Sequence, residues 1–201
     1  MSVLELLNKR FATKKFNTTK KVSDEDLAYI LECGRVSCSS FNVQPWKFVV
    51  VSNPEIRAKL AAAGYNQPQF TEASHLIVVC EVKDPTARIN RTAELMSAAA
   101  SAEQAETWKG MVTGAYARMS PEGQAAWLAR QTYLSLQAMI LGATDKGIDS
   151  CPMEGFDAKA WGEILGLEDV TVLANLAIGY AEAPGHTKVR VPLEDIVEYR
   201  K

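Results

Sequence analysis

The order of apolar and polar positions divides the chain into helices and a few short, dense strands. Val3, Leu4, Leu6 and Leu7 ahead of Lys9 and Arg10 predict a short amphipathic helix ending near Phe11, its basic end matched to the C-terminal dipole. Ser23 followed by Glu25 and Asp26 announces a second helix, with Leu27, Ile30 and Leu31 at helical spacing and Gly34 read as its stop. A polar loop from Val36 to Pro45 leads into Trp46-Lys47-Phe48-Val49-Val50-Val51, whose β-branched density predicts a buried strand. A helix over Pro54 to Ala63 and a polar turn containing Gly64, Asn66, Gln67 and Pro68 precede a second buried strand, Leu76 to Cys80.

From Pro85 to about Ala117 the residues favour helix without clear apolar periodicity. Gln124 to Lys146 is helix on both counts, stopped by Gly147, and apolar enough to be central or interfacial. Asp149 to Phe156 reads as a strand stub and turn, Asp157 as the cap of a short helix through Ile164, and Val170 to Ile178 as the last strong strand. The tail from Ala181 to Lys201 carries Val189, Val191, Leu193, Ile196 and Val197, too apolar to stand alone, and is expected to pack on a second subunit. No repeat, low-complexity tract or linker divides the 201 residues, so one domain is expected.

Charge removes several classes of function. With 22 basic and 24 acidic side chains there is no global positive field to hold nucleic acid. No apolar run approaches the roughly 20 residues that span a bilayer, and the first residues lack the order of a signal peptide, so the expected compartment is the cytoplasm. Cys33, Cys38, Cys80 and Cys151 contain no CxxC pair, and only His75 and His186 could join them in a metal site; free thiols are expected and a zinc cluster is not.

Motifs narrow the chemistry further. No two glycines stand at GxG spacing and there is no GxxxxGK[ST], so a bound phosphate would be held by side chains. Neither histidine lies in a hydrolase context, which makes cofactor chemistry the better expectation. Arg10, Lys14 and Lys15 follow the first helix, and Lys188 and Arg190 alternate in the tail. Each cluster alone reads as solvated surface charge, yet alternation puts Lys188 and Arg190 on one side of an extended segment, as a phosphate clamp requires. The loop Ser37 to Gln44 offers three hydroxyls and two carboxamides, which suit either an ordinary capped loop or a heteroaromatic ring with alternating donors and acceptors. Gln131 sits in an apolar helix and needs a partner, either backbone or ligand.

Three segments then stand in a telling order: Arg10-Phe11-Ala12-Thr13-Lys14-Lys15-Phe16, Ser39-Ser40-Phe41-Asn42-Val43-Gln44-Pro45-Trp46, and Pro152-Met153-Glu154-Gly155-Phe156-Asp157. Asn66 precedes Ala73-Ser74-His75, and Lys188-Val189-Arg190 lies near the end. In this register the whole chain resembles the FMN-dependent nitroreductase family. The resemblance implies an α+β fold, a mixed sheet surrounded by helices, in an intertwined homodimer with C-terminal exchange. It implies noncovalent FMN, with NADH or NADPH as donor, a nitroaromatic, quinone or similar small acceptor, and ping-pong kinetics; other flavin enzymes of the same fold, or a non-catalytic FMN-binding protein, are the alternatives.

By position, the resemblance gives Arg10, Lys188 and Arg190 to the phosphate and Lys14 to the ribityl chain and ring. Asn66 and Gln69 fall beside the pyrimidine edge, Gln131 at a flavin-contacting place on the long helix, and Glu154-Gly155 at the turn whose backbone amide faces the redox-active nitrogen. Ser39, Ser40 and Asn42 are implied to serve the flavin of the neighbouring subunit. Phe11, Ala12, Cys38, Pro152 and Met153 complete the expected cofactor set. No side chain is expected to act as acid or base, because the flavin carries the chemistry. A lid is expected between Trp108 and Trp127.

Overall fold

The computed structural model describes residues 1–185 and 187–200. Four strands form its sheet: β1 (Trp46–Val51), β2 (His75–Val82), β3 (Asp149–Met153) and β4 (Val170–Gly179), in the order β1-β2-β4-β3. Every pairing between them is antiparallel. The parallel component expected of a mixed sheet is confined to one isolated bridge, Ala12 to Ser150, on the outer edge of β3. The reason is topological: each strand returns beside a neighbour of opposite direction, and only the segment after the first helix runs alongside β3.

Helices cover both faces. On one side α3 (Pro54–Ala62), α4 (Gln69–Glu72) and α8 (Ala158–Leu165) bury Leu60, Phe70 and Trp161 against Val78, Cys80 and Val172. On the other, α2 (Asp24–Arg35) and α7 (Pro121–Asp145) bury Ile30, Leu136, Met139 and Ile140 against Ile77, Val79 and Leu176. Strand alternation, which sends successive side chains to opposite faces, produces both cores from one sheet.

Side-chain caps set two helix starts as the sequence predicts, Ser23 accepting from the Asp26 N–H and Asp157 from Ala160, and Asn53 caps a third by accepting from Glu55 and Ile56. Gly34 departs from its expected role. It lies inside α2, where a Cβ would come within 2.7 Å of Met139 Cγ, so the glycine permits close approach of α2 to α7 instead of ending the helix.

The region of weak periodicity forms α5 (Thr86–Ala99) and α6 (Ala102–Ala117), broken at Ala100 and restarted by a Ser101 cap. Trp108 and Trp127 are both buried with Val43, Ile89 and Val112 in a third apolar cluster. The expected lid is therefore a packed helical hairpin leading into α7.

Candidate functional site

The chain leaves α1 (Val3–Lys9) at Arg10 and runs along β3, fixed by the Thr13 N–H donating to Ser150 O at 3.0 Å. This course brings Arg10 to one end of a cleft of about 460 Å³ between α7 and β3. Tyr133, Gln137, Pro152, Met153 and Glu154 line it, over an apolar floor of Leu136, Ile140 and Ala174.

The C-terminal tail brings further positive charge near Arg10. Gly185 lies against the Phe11 ring, where a Cβ would approach to 2.5 Å. Lys188 Nζ then donates to Leu7 O and to Asn8 O, the latter at 3.1 Å. Desolvation lowers the Lys188 pKa, and the nearby positive charges of Arg10 and Arg190 lower it further. Three cations thus converge with no carboxylate paired to any of them by a salt bridge among the described residues. Such a cluster is self-repelling and complementary to a polyanionic group.

Next to this cluster, burial raises the Cys151 thiol pKa while Lys14, a Gln69 hydrogen bond and Arg10 pull it back. Lys14, Gln69 and Arg10 therefore lie near Cys151, the middle residue of β3. Gln69 is 4% exposed, and its Oε1 has no hydrogen-bond partner among the described residues; neither does the buried Thr13 Oγ1. A buried polar atom left unpaired costs about 1–3 kcal/mol.

The turn after β3 is tethered twice. Tyr133 OH donates to Glu154 Oε1 at 2.8 Å, and Gln67 Nε2 donates to Gly155 O at 2.7 Å. The N–H groups of Glu154 and Gly155 donate to no acceptor among the described residues.

The loop before β1 stands apart from the cleft lining. Its backbone is strained, with positive φ at Phe41 (53°), Asn42 (56°) and Gln44 (47°), as are Tyr65 (59°) and Asn66 (52°). Asn tolerates such angles in ordinary turns, but Phe, Gln and Tyr hold them only where their surroundings impose them, and such residues concentrate at functional sites. Here Gln131 Oε1 accepts from the Ser40 N–H at 2.8 Å while its Nε2 donates to Trp127 O at 3.1 Å. Of the two partners the sequence leaves open for Gln131, the structure supplies backbone. Trp108 Nε1 donates to Phe41 O at 2.9 Å, and Ser39 Oγ accepts from the Gln44 N–H at 3.0 Å. Cys38, Asn42 and Asn66 are exposed.

Comparison with known proteins identifies the family and the fold. The profile described as the nitroreductase family matches residues 7–180. The chain belongs to the nitroreductase family. A relative from Staphylococcus epidermidis, named as an NAD(P)H nitroreductase, is 35% identical, with 98% of this chain and 96% of the relative covered. A solved nitroreductase family protein from Streptococcus pneumoniae is 31% identical with a TM-score of 0.89, covering 99% and 100% of the two chains. A nitroreductase from Exiguobacterium sibiricum, solved in complex with FMN, is 26% identical with a TM-score of 0.91, covering 100% and 98%. Among nitroreductase relatives the naming is consistent with an oxidoreductase.

For a nitroreductase cofactor, the observed groups fit: convergent cations for a phosphate, buried orphan oxygens, and two unspent amides in the turn after β3. Sequence reasoning missed Tyr133, Gln67 and Trp108. Gln67 was visible only as part of a polar turn and Trp108 only as a bound of the expected lid, and Tyr133 was marked only as a lone tyrosine two residues beyond Gln131 in an apolar helix.

Proposed function

We propose that this chain binds FMN noncovalently and passes electrons from NADH or NADPH to a nitroaromatic, a quinone or a similar small acceptor. The nearness of Lys188 and Arg190 to Arg10, which lines the cleft, carries the reading. The FMN complex of the Exiguobacterium relative supports it. FMN, when bound, supplies the hydride chemistry, and the protein supplies binding, orientation and water exclusion.

In this reading Arg10, Lys188 and Arg190 hold the phosphate, and Lys14, Asn66 and Gln69 serve the ribityl chain and ring edge. Phe11, Ala12, Pro152 and Met153 wall the site, and the Glu154–Gly155 turn presents a backbone amide. Ser39, Ser40 and Asn42, with Cys38 beside them, serve the cofactor of a second copy, with Gln131 holding their loop in place. A homodimer is part of the proposal, supported by tail residues left in the open: Val189 is 81% exposed and Ile196 67%. One surface shared by donor and acceptor gives ping-pong kinetics. A cytoplasmic setting is supported by four free cysteines.

Titration of the purified chain with FMN and with riboflavin tests this. One FMN per chain is expected, released on denaturation. Arg10→Ala should weaken FMN by at least about tenfold, since a charge-assisted contact is worth about 1.5–3 kcal/mol, and should leave riboflavin nearly unchanged. Equal losses for both flavins would place Arg10 away from the phosphate, and no binding of either would end the proposal.

A further inference from the structure

The turn after β3 is held in an unusual way. Its carbonyl and carboxylate oxygens are engaged: Gly155 O by Gln67, Glu154 O by the Phe156 N–H at 2.9 Å, and Glu154 Oε1 by Tyr133. Its two leading N–H groups are not. Space is tight on the Gln67 side, where a Cβ on Gly155 would lie 3.3 Å from Gln67 Nε2. The orientation of those free amides is therefore set from two directions, by the turn before α4 and by α7.

We propose that Tyr133 is a positioning residue of the cleft: its hydrogen bond to Glu154 fixes the Glu154–Gly155 turn, screens the Glu154 carboxylate, and so sets the reduction potential of the bound flavin. The proposal rests on the FMN reading above. Tyr133 and Glu154 both line the cleft, so the state of that carboxylate is felt inside it. A negative charge there disfavours a reduced, electron-rich ring, and a phenol donor at 2.8 Å offsets part of that charge. Burial, followed by the hydrogen bond and charge of Glu154 and the charge of Glu81, pushes Tyr133 up to about 12. The phenol thus keeps its proton, and its role as donor, throughout the neutral range.

Tyr133→Phe removes one oxygen and keeps the ring, and Glu154→Gln removes the charge and keeps the length. Spectroelectrochemical titration of FMN-loaded wild type, Y133F, E154Q and the double variant reads the effect. Y133F should disfavour reduction about tenfold, a shift of about 30 mV to more negative potential for a two-electron couple. E154Q should shift the opposite way, and the double variant should match E154Q, because the phenol acts through the charge. An unchanged potential in Y133F, or the same negative shift from Tyr133→Phe with Glu154 already neutral, overturns the proposal. Hydrogen exchange of flavin-free protein tests the tether by itself: amides of residues 154–156 should exchange faster in Y133F, and equal exchange refutes it. Failure of the wild type to take FMN would instead refute the functional reading, leaving the exchange result to judge the tether.

Discussion

Glu81 gives the sharpest quantitative test of the fold. By alternation from Ile77 and Val79 it faces the α7 side of the sheet, paired across the strands with Trp46 and Thr171. It is 6% exposed, and its Oε2 has no hydrogen-bond partner among the described residues. Burial raises its pKa from 4.5 to about 7. The folded chain therefore keeps a proton that the unfolded chain releases, so its stabilising effect is complete below pH 4.5 and is lost as pH rises to about 7. At about 1.36 kcal/mol per pH unit, the loss across this window is at most about 3 kcal/mol. Glu81→Gln abolishes the ionisation and preserves the size, although the new amide carries its own unmet donors. In urea unfolding at pH 5 and pH 8, wild type should lose about 1–3 kcal/mol relative to the variant on going to the higher pH. Parallel stability profiles for the two proteins would show that Glu81 is solvated or paired in solution, and would refute the reasoning.

Two further outcomes follow from the loop and the tail. Gln131→Leu removes the acceptor of the Ser40 N–H, a loss of about 1–3 kcal/mol if the loop stays in place, so hydrogen exchange at residues 40–43 should accelerate; exchange like wild type would deny Gln131 its supporting role. Sedimentation at micromolar concentration should give a dimer, because obligate interfaces that bury apolar tails commonly exceed about 2,000 Å²; a folded, FMN-loaded monomer would contradict the assignment of Ser39, Ser40 and Asn42 to a second copy.

What the sequence revealed depended on how local the cause was. Caps at Ser23 and Asp157 act over three residues, and the β-branched runs of β1 and β4 need no distant partner to be read as strands. Gly34 misled because a glycine near a helix end signals a stop, whereas Met139, more than a hundred residues away, decides its place. The break between α5 and α6 falls at Ala100, in an alanine-rich stretch whose propensity favours an unbroken helix. The segments that carry the family resemblance were legible as short motifs, but their structural support was not. Trp108 reaches Phe41 across 67 positions and Gln67 reaches Gly155 across 88, and neither spacing has a local pattern. Positive φ at Phe41 and Gln44 was equally hidden, since these residue types ordinarily avoid it, whereas at Asn42 it is less unusual.

Separate observation of the two half-reactions tests the central claim most directly. Anaerobic NADH or NADPH added to the FMN-loaded protein should bleach its yellow absorbance. After removal of the nicotinamide, a quinone or nitroaromatic should restore the colour in the absence of any other oxidant. Loaded protein whose absorbance neither nicotinamide can bleach would contradict the account and leave a protein that binds FMN without turning it over.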